Sequence, residues 1–182
     1  IMSKILVDEI TTRDGTSTLT LGASGKTLSI PSGCTISNSG SATGFGKIGQ
    51  IVSVESTASS STTSSSFVAV SAMTLDITPT ATSSKIYLTN MQLMSFANSG
   101  GYWSHVTIYR DGSNLSNNSD GLGTMRTNTG DNYLMTNIIY LDSPSSTSQL
   151  TYQVYIRSPN GITVSHNNLG SRATLVAMEI LA

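Results

Sequence analysis

The chain has 182 residues, a formal net charge of −1 and 10% charged side chains, where soluble domains carry roughly 25%. Its 32 Ser and 25 Thr, about 31% of the sequence, supply polarity through hydroxyls instead. This balance speaks against nucleic acid or an anionic membrane surface as partner, and no apolar run approaches the roughly twenty residues of a membrane-spanning helix, so neither nucleic-acid binding nor membrane insertion is expected.

Residues 3–10 read as a short strand or extended docking segment, closed by the turn signal Asp14-Gly15. Residues 18–42 then repeat one phrase three times. Thr18-Leu19-Thr20-Leu21, Thr27-Leu28-Ser29-Ile30 and Thr35-Ile36-Ser37-Asn38 each run into a glycine-containing turn. A period of about eight to nine residues suits a strand plus a turn. Each copy offers only one or two apolar side chains, too few to bury a core alone. Two further copies of the same chain would bury it, with Leu19, Leu21, Leu28, Ile30 and Ile36 facing a threefold axis. Cys34, the single cysteine, has small polar neighbours and reads as a packing residue.

Gly40 to Gly49 reads as a flexible joint, and the boundary falls near residue 45. The division is 1–45, an attachment segment and thin β-repeat stem, and 46–182, a β-sandwich head. The Ser/Thr run Glu55–Ser66 reads as a polar loop or edge strand. Met73 to Ile77 alternates, and Lys85 to Phe96 forms a long strand whose apolar phase slips from Ile86 and Leu88 to Met91 and Leu93. That slip predicts a β-bulge near Thr89-Asn90. Further strands cover Val106–Ile108, Leu134–Leu141, Tyr152–Ile156 and Ile162–His166, the last two joined through a type I′ hairpin at Asn160-Gly161. The final strand, Thr174 to Leu181, is apolar on both faces, which places it centrally or at a subunit interface. Eight or more strands without helical periodicity indicate an all-β antiparallel sandwich of jelly-roll type.

Signals of chemistry are weak. Gly44-Phe45-Gly46-Lys47-Ile48-Gly49 matches the dinucleotide fingerprint in letters, but a strand follows where a helix is required, so no cofactor is expected. His105 and His166 fall on polar faces of separate strands and read as surface residues. No Cys/His spacing suits a metal, and no G-x-S-x-G elbow or paired carboxylate pattern supports an enzyme, so no catalytic or metal-ligating residue is assigned. The polar run Asp111 to Gly121 departs from the calcium-loop register at Leu115 and reads as a solvated hairpin loop. Tyr102 and Trp103, following two glycines, either offer a stacking platform for sugar rings or anchor the sandwich core. With Asn114, Asn117, Asn118 and Asp120 as hydrogen-bonding neighbours, they form the candidate receptor-binding set.

Several segments carry a resemblance: Phe67-Val68-x-Val70, Asp76-Ile77-Thr78-Pro79, Ser83-Ser84-Lys85-Ile86, Tyr109-Arg110-Asp111-Gly112, Leu141-Asp142-Ser143-Pro144, Thr151-Tyr152-x-Val154 and Ala177-Met178-Glu179-Ile180. Together they resemble a domain of fibre and other virion proteins of marine tailed phages, cyanophages above all. The N-terminal Ile5-Leu6-Val7-Asp8-Glu9-Ile10 with its repeats resembles the thin stem of such proteins. The resemblance implies a homotrimeric jelly roll on the virion surface, on phage head or tail. Partners would be capsid or tail proteins through the N-terminal segment. The function implied is that of a fibre or capsid decoration protein, or else of a tail-fibre adhesin recognising host surface glycan.

Overall fold

The computed structural model describes residue 32 and residues 48–97, 100–127 and 132–181. The repeat stretch, with Leu19, Leu21, Leu28, Ile30, Cys34 and Ile36, and the boundary near residue 45 lie outside the described residues.

Eleven strands and no helix are found among the described residues. They are β1 (Ile48–Ser56), β2 (Ser60–Thr62), β3 (Val68–Ile77), β4 (Lys85–Phe96), β5 (Trp103–Arg110), β6 (Ser113–Asn114), β7 (Gly123–Arg126), β8 (Asn132–Asp142), β9 (Leu150–Arg157), β10 (Val164–His166) and β11 (Ala173–Ile180). All pairings are antiparallel. The first sheet is organised on β4. One edge of β4 pairs with β8 over its whole length, from Ile86↔Asp142 to Phe96↔Asn132, and the other carries β11 and then β10. Outside these lie β1 and β2. The second sheet runs β3-β9-β5, with β6 and β7 sharing the free edge of β5. The two sheets form the expected β-sandwich, and β11 lies inside its sheet between β1 and β4.

The core lies between the sheets, where alternate residues turn inward. Ile86, Leu88, Met94 and Phe96 of β4 and Leu175 and Ala177 of β11 are buried with Met73 and Leu75 of β3, Val106 and Ile108 of β5, and Tyr152, Val154 and Ile156 of β9. Polar groups join the layers at one corner. Arg110 of β5 donates from Nη1 to both carboxylate oxygens of Asp142 on β8, at 2.8 and 2.7 Å. The Tyr152 hydroxyl of β9 donates to the same carboxylate at 2.6 Å. Burial and the adjoining carboxylate push the Tyr152 phenol far up, so it stays a donor. Next to it, Asp111 and Thr151 exchange bonds: Asp111 N–H to the Thr151 carbonyl (2.9 Å) and Thr151 N–H to Asp111 Oδ1 (2.8 Å). At another place Glu179 of β11, fully buried, accepts from Gln50 Nε2 and from the Thr80 N–H and hydroxyl. Burial alone would raise its pKa; the hydrogen bonds, led by Gln50, outweigh it and hold the carboxyl at about 2.

Four expectations are corrected. No bulge interrupts β4 at Thr89-Asn90; its register with β8 is continuous. Asn90 and Gln92 continue the inward row and are buried, with Asn90 Nδ2 donating to the Thr174 carbonyl at 3.0 Å, while Met91 stays on the outer face, 47% exposed. The apolar phase changed because the outer face is itself apolar. Register shifts fall instead in β1 between Ile48 and Ile51 and in β3 between Ala69 and Thr74. The hairpin at Asn160-Gly161 is also absent. Gly161 alone takes positive φ (71°), closing a turn with its N–H to the Ser158 carbonyl, and the chain crosses to the other sheet, where β10 pairs with β4 and β2. A type I′ turn requires both central residues at positive φ, which Asn160 does not adopt. Gly49, placed in a flexible joint, belongs to β1, where an added Cβ would come within 2.8 Å of Leu181. Lastly, His105 and His166 are 5% and 0% exposed, buried rather than on the surface.

Candidate functional site

The start of β5 and the loop between β6 and β7 build a cleft on the outer face of the second sheet. Gly121 makes it possible. The loop must fold back against β5 so that Leu122 N–H reaches the Val106 carbonyl at 2.9 Å. A Cβ at Gly121, with φ of +77°, would lie 2.6 Å from that carbonyl oxygen, so only glycine fits. The fold-back brings Asp120 over β5, where its carbonyl accepts from His105 Nδ1 at 2.8 Å. The cleft is lined by Trp103, His105, Asp120, Thr124, Arg157 and Pro159 and has a volume of about 240 Å³.

Trp103 is 39% exposed, its ring stacked on His105 (interplanar angle 6°, centroids 6.4 Å apart) with the Arg126 guanidinium 5.2 Å from its centroid. Its backbone N–H donates to Asn160 Oδ1 at 2.9 Å, which fixes the strand at its first residue. Of the two roles open to Trp103, the surface one is realised. His105 alternates with it along β5 and shares its face. Burial, followed by smaller influences from Asp120 and Arg157, leaves the His105 pKa below the usual histidine value, so the imidazole is neutral at pH 7. Donation from Nδ1 to a carbonyl sets the tautomer, leaving Nε2 as an acceptor. Arg157, on the adjacent β9, donates Nη1 to the Ser65 carbonyl at 3.2 Å, lies 5.1 Å over the Phe67 ring, and approaches Asp120 Oδ1 with Nη2 at 3.5 Å.

The candidate receptor-binding residues separate into two groups. Trp103 and Asp120 meet in this cleft. Asn118 supports it from behind, accepting the Asp120 N–H on its side-chain oxygen at 2.9 Å. Asn114 turns inward instead, accepting from the Thr107 hydroxyl (2.7 Å) and the Ser116 N–H (3.0 Å), so it shapes the loop. Asn117 is exposed away from the cleft lining, and half-buried Tyr102 serves through its carbonyl, which accepts the Thr127 N–H at 3.0 Å. His105, Thr124, Arg157 and Pro159 were missed in the sequence because they come from β5, β7, β9 and the turn after β9 rather than the loop. The Trp103-x-His105 spacing was the one signal that both rings share a strand face.

A second surface is apolar. Cross-strand partners place Ile51, Met178, Tyr87 and Leu141 in one row on the outer face of the first sheet, and Ser53, Val176, Thr89 and Ile139 in the next. Met91 and Met135 lie on the same face, as does Tyr133 beyond Ser95. Ile51, Ile139 and Met135 are 59%, 59% and 57% exposed. Charge is confined to the ends, with Lys85 beside Ile180 at one and the Glu55–Arg172 pair at the other. Among the described residues no strand pairs with the outer edge of β8.

No family model matches the chain, and neither does any curated protein. Solved structures similar in part include the crystal structure of the infectious bursal disease virus VP2 subviral particle, with 16% identity and a TM-score of 0.34 over 73% of this chain and 38% of that one. The structure of the infectious bursal disease virus Gx strain gives 15% identity and a TM-score of 0.33 over 73% of this chain and 37% of that one. The chain thus spans less than two fifths of the length of either.

Proposed function

We propose that this protein is a structural component of a phage virion, a homotrimeric fibre or capsid decoration protein whose β-sandwich head projects from the particle surface. The observation that carries the reading is the apolar outer face of the first sheet. A sandwich exposed to water on both sides has polar outer faces. Here six large apolar side chains, each roughly half exposed, offer on the order of 600 Å² of apolar surface, the upper end of what isolated monomers leave to solvent. A standard interface takes about 800 Å² from each partner.

The occupant of this face is a second copy of the chain. Its middle carries no charge, so identical faces can approach a common axis without like-charge repulsion, and the doubly apolar β11 runs through it. The β8 edge, 11 residues long, needs the same cover, since an open apolar edge invites uncontrolled pairing. The resemblance of the quoted segments to marine phage virion proteins supplies the trimer and the virion; attachment to capsid or tail falls to the N-terminal segment. Sedimentation equilibrium of the full chain should return three times the 19.1 kDa chain mass, and immunogold labelling should decorate particles at heads or tails. A stable monomer at micromolar concentration, or unlabelled particles, would overturn it.

A second reading is favoured by the Trp103 cleft: a host-binding adhesin that recognises surface glycan. Binding of the isolated protein to host cells, competed by soluble glycan, separates this from decoration alone.

A further inference from the structure

His105 Nε2 and Asp120 Oδ1 face each other across 4.0 Å at the mouth of the cleft. With Nδ1 committed to the Asp120 carbonyl, Nε2 holds a lone pair, so two acceptors confront one another with no hydrogen between them. This arrangement calls for donors from outside. Arg157 Nη2 lies 3.5 Å from the same carboxylate oxygen, which disfavours a metal cation as the missing partner and supplies a donor for an incoming oxygen. The wall beside them is apolar: the half-exposed Trp103 ring and Pro159. A ligand matching this cleft must donate two hydrogen bonds, accept one, and present a C–H face to an aromatic ring.

We propose that the cleft binds a neutral pyranose sugar. Two neighbouring hydroxyls donate to His105 Nε2 and Asp120 Oδ1 and accept from Arg157, while the ring lies against Trp103. Neutral sugars are preferred over uronates because a sugar carboxylate would meet the two acceptors. The inference takes up the adhesin reading and names its site and ligand class; it does not depend on the trimer.

Trp103 is the only tryptophan of the chain, so fluorescence excited beyond the tyrosine absorption band reports this cleft alone. The full-length protein is titrated with methyl glucoside, methyl galactoside, methyl mannoside and methyl glucuronide. At least one neutral glycoside is expected to give a saturable emission change, with the glucuronide weaker. Asp120→Asn, at a side chain 62% exposed, removes one acceptor charge without a burial penalty and should weaken binding about tenfold at unchanged melting temperature. His105→Phe keeps the packed ring, removes the second acceptor and should abolish the response. No saturable change with any neutral glycoside, an unchanged Asp120→Asn affinity, or tighter binding of the glucuronide each overturns the proposal. Sugar binding without attachment to cells would defeat the adhesin reading and leave the site standing.

Discussion

The two outer faces of the sandwich are built to opposite rules. Outside the first sheet, Ile51, Met91, Met135, Ile139 and Leu141 stand with charge only at the ends. Outside the second, Tyr109 stacks on Tyr155 at 3.9 Å, Phe67 meets Tyr109 edge-on, and Arg157, Asp120 and His105 bring charge and directed hydrogen bonds. The aliphatic face gains by excluding water wholesale and has few polar groups to satisfy, Ser53, Thr89 and Asn137 among them. Its aromatic counterpart is amphipathic, made of rings with a polar tip or a cationic neighbour, a chemistry suited to ligands that stay partly wet. One face suits permanent cover and the other reversible contact.

The comparison breaks most visibly under charge. Met135→Lys combined with Ile139→Lys is expected to convert the proposed trimer wholly to monomer in sedimentation, with far-UV circular dichroism unchanged, because both positions lie outside the core. Gln153→Lys, a single charge on the opposite face, should leave the mass of the assembly as it was. Equal behaviour of the two variants would show that the faces do not differ in role.

Acid sharpens the contrast at a smaller scale, since each sheet holds one buried histidine. On β10, His166 is 0% exposed, and neither ring nitrogen makes a full hydrogen bond. Burial, opposed more weakly by the Ala58 backbone, pushes its pKa down to about 4. The unfolded chain takes up a proton below about pH 6.5, whereas the folded one resists until about pH 4. The part of the stability that rests on His166 is therefore full above pH 6.5, falls as pH drops and is spent by about pH 4, a loss of up to about 3 kcal/mol in chemical denaturation. His166→Gln should flatten most of that slope. His105, with its ring nitrogen already committed to Asp120, contributes the lesser part.

The smallest effect is expected at the rim. Arg172→Ala removes the exposed pair with Glu55 and should change stability by less than about 0.5 kcal/mol in the same denaturation, since both side chains are well solvated. It is the polar boundary of the apolar face, and its indifference would place the energy in the middle.

Strand content and the sandwich were legible because alternation and turn residues act locally. Where the expected polar loop begins, Asp111 and Gly112 form a tight turn between β5 and β6, both at positive φ (48° and 80°). The phase slip in β4 was also read, but its cause was not. Period-two patterning shows that a face changes character and cannot tell a bulge from a second apolar surface; the β4–β8 register decides it. Asn160-Gly161 failed because the partner strand of β10 lies in the other sheet, a nonlocal choice no dipeptide encodes. The quoted motif segments proved to be neighbours in space. Arg110, Asp142 and Tyr152 come from three of them and tie the two sheets together, while Glu179 anchors another to Thr80. Four of the six residues lining the cleft were invisible because they come from β5, β7, β9 and the turn after β9.

One feature of connectivity governs how this molecule is made. β11, the last of the described strands, fills the gap between β1, the first of them, and β4. Until residues 173–180 leave the ribosome, the facing edges of β1 and β4 have no partner and the sheet is split in two. The sandwich therefore closes only once that segment has emerged, through contacts spanning nearly its whole sequence, a slow route that leaves apolar edges open meanwhile. An early stop before Ala173 removes the keystone of the sheet, and the truncated product is destined for aggregation or proteolysis whatever its surface does.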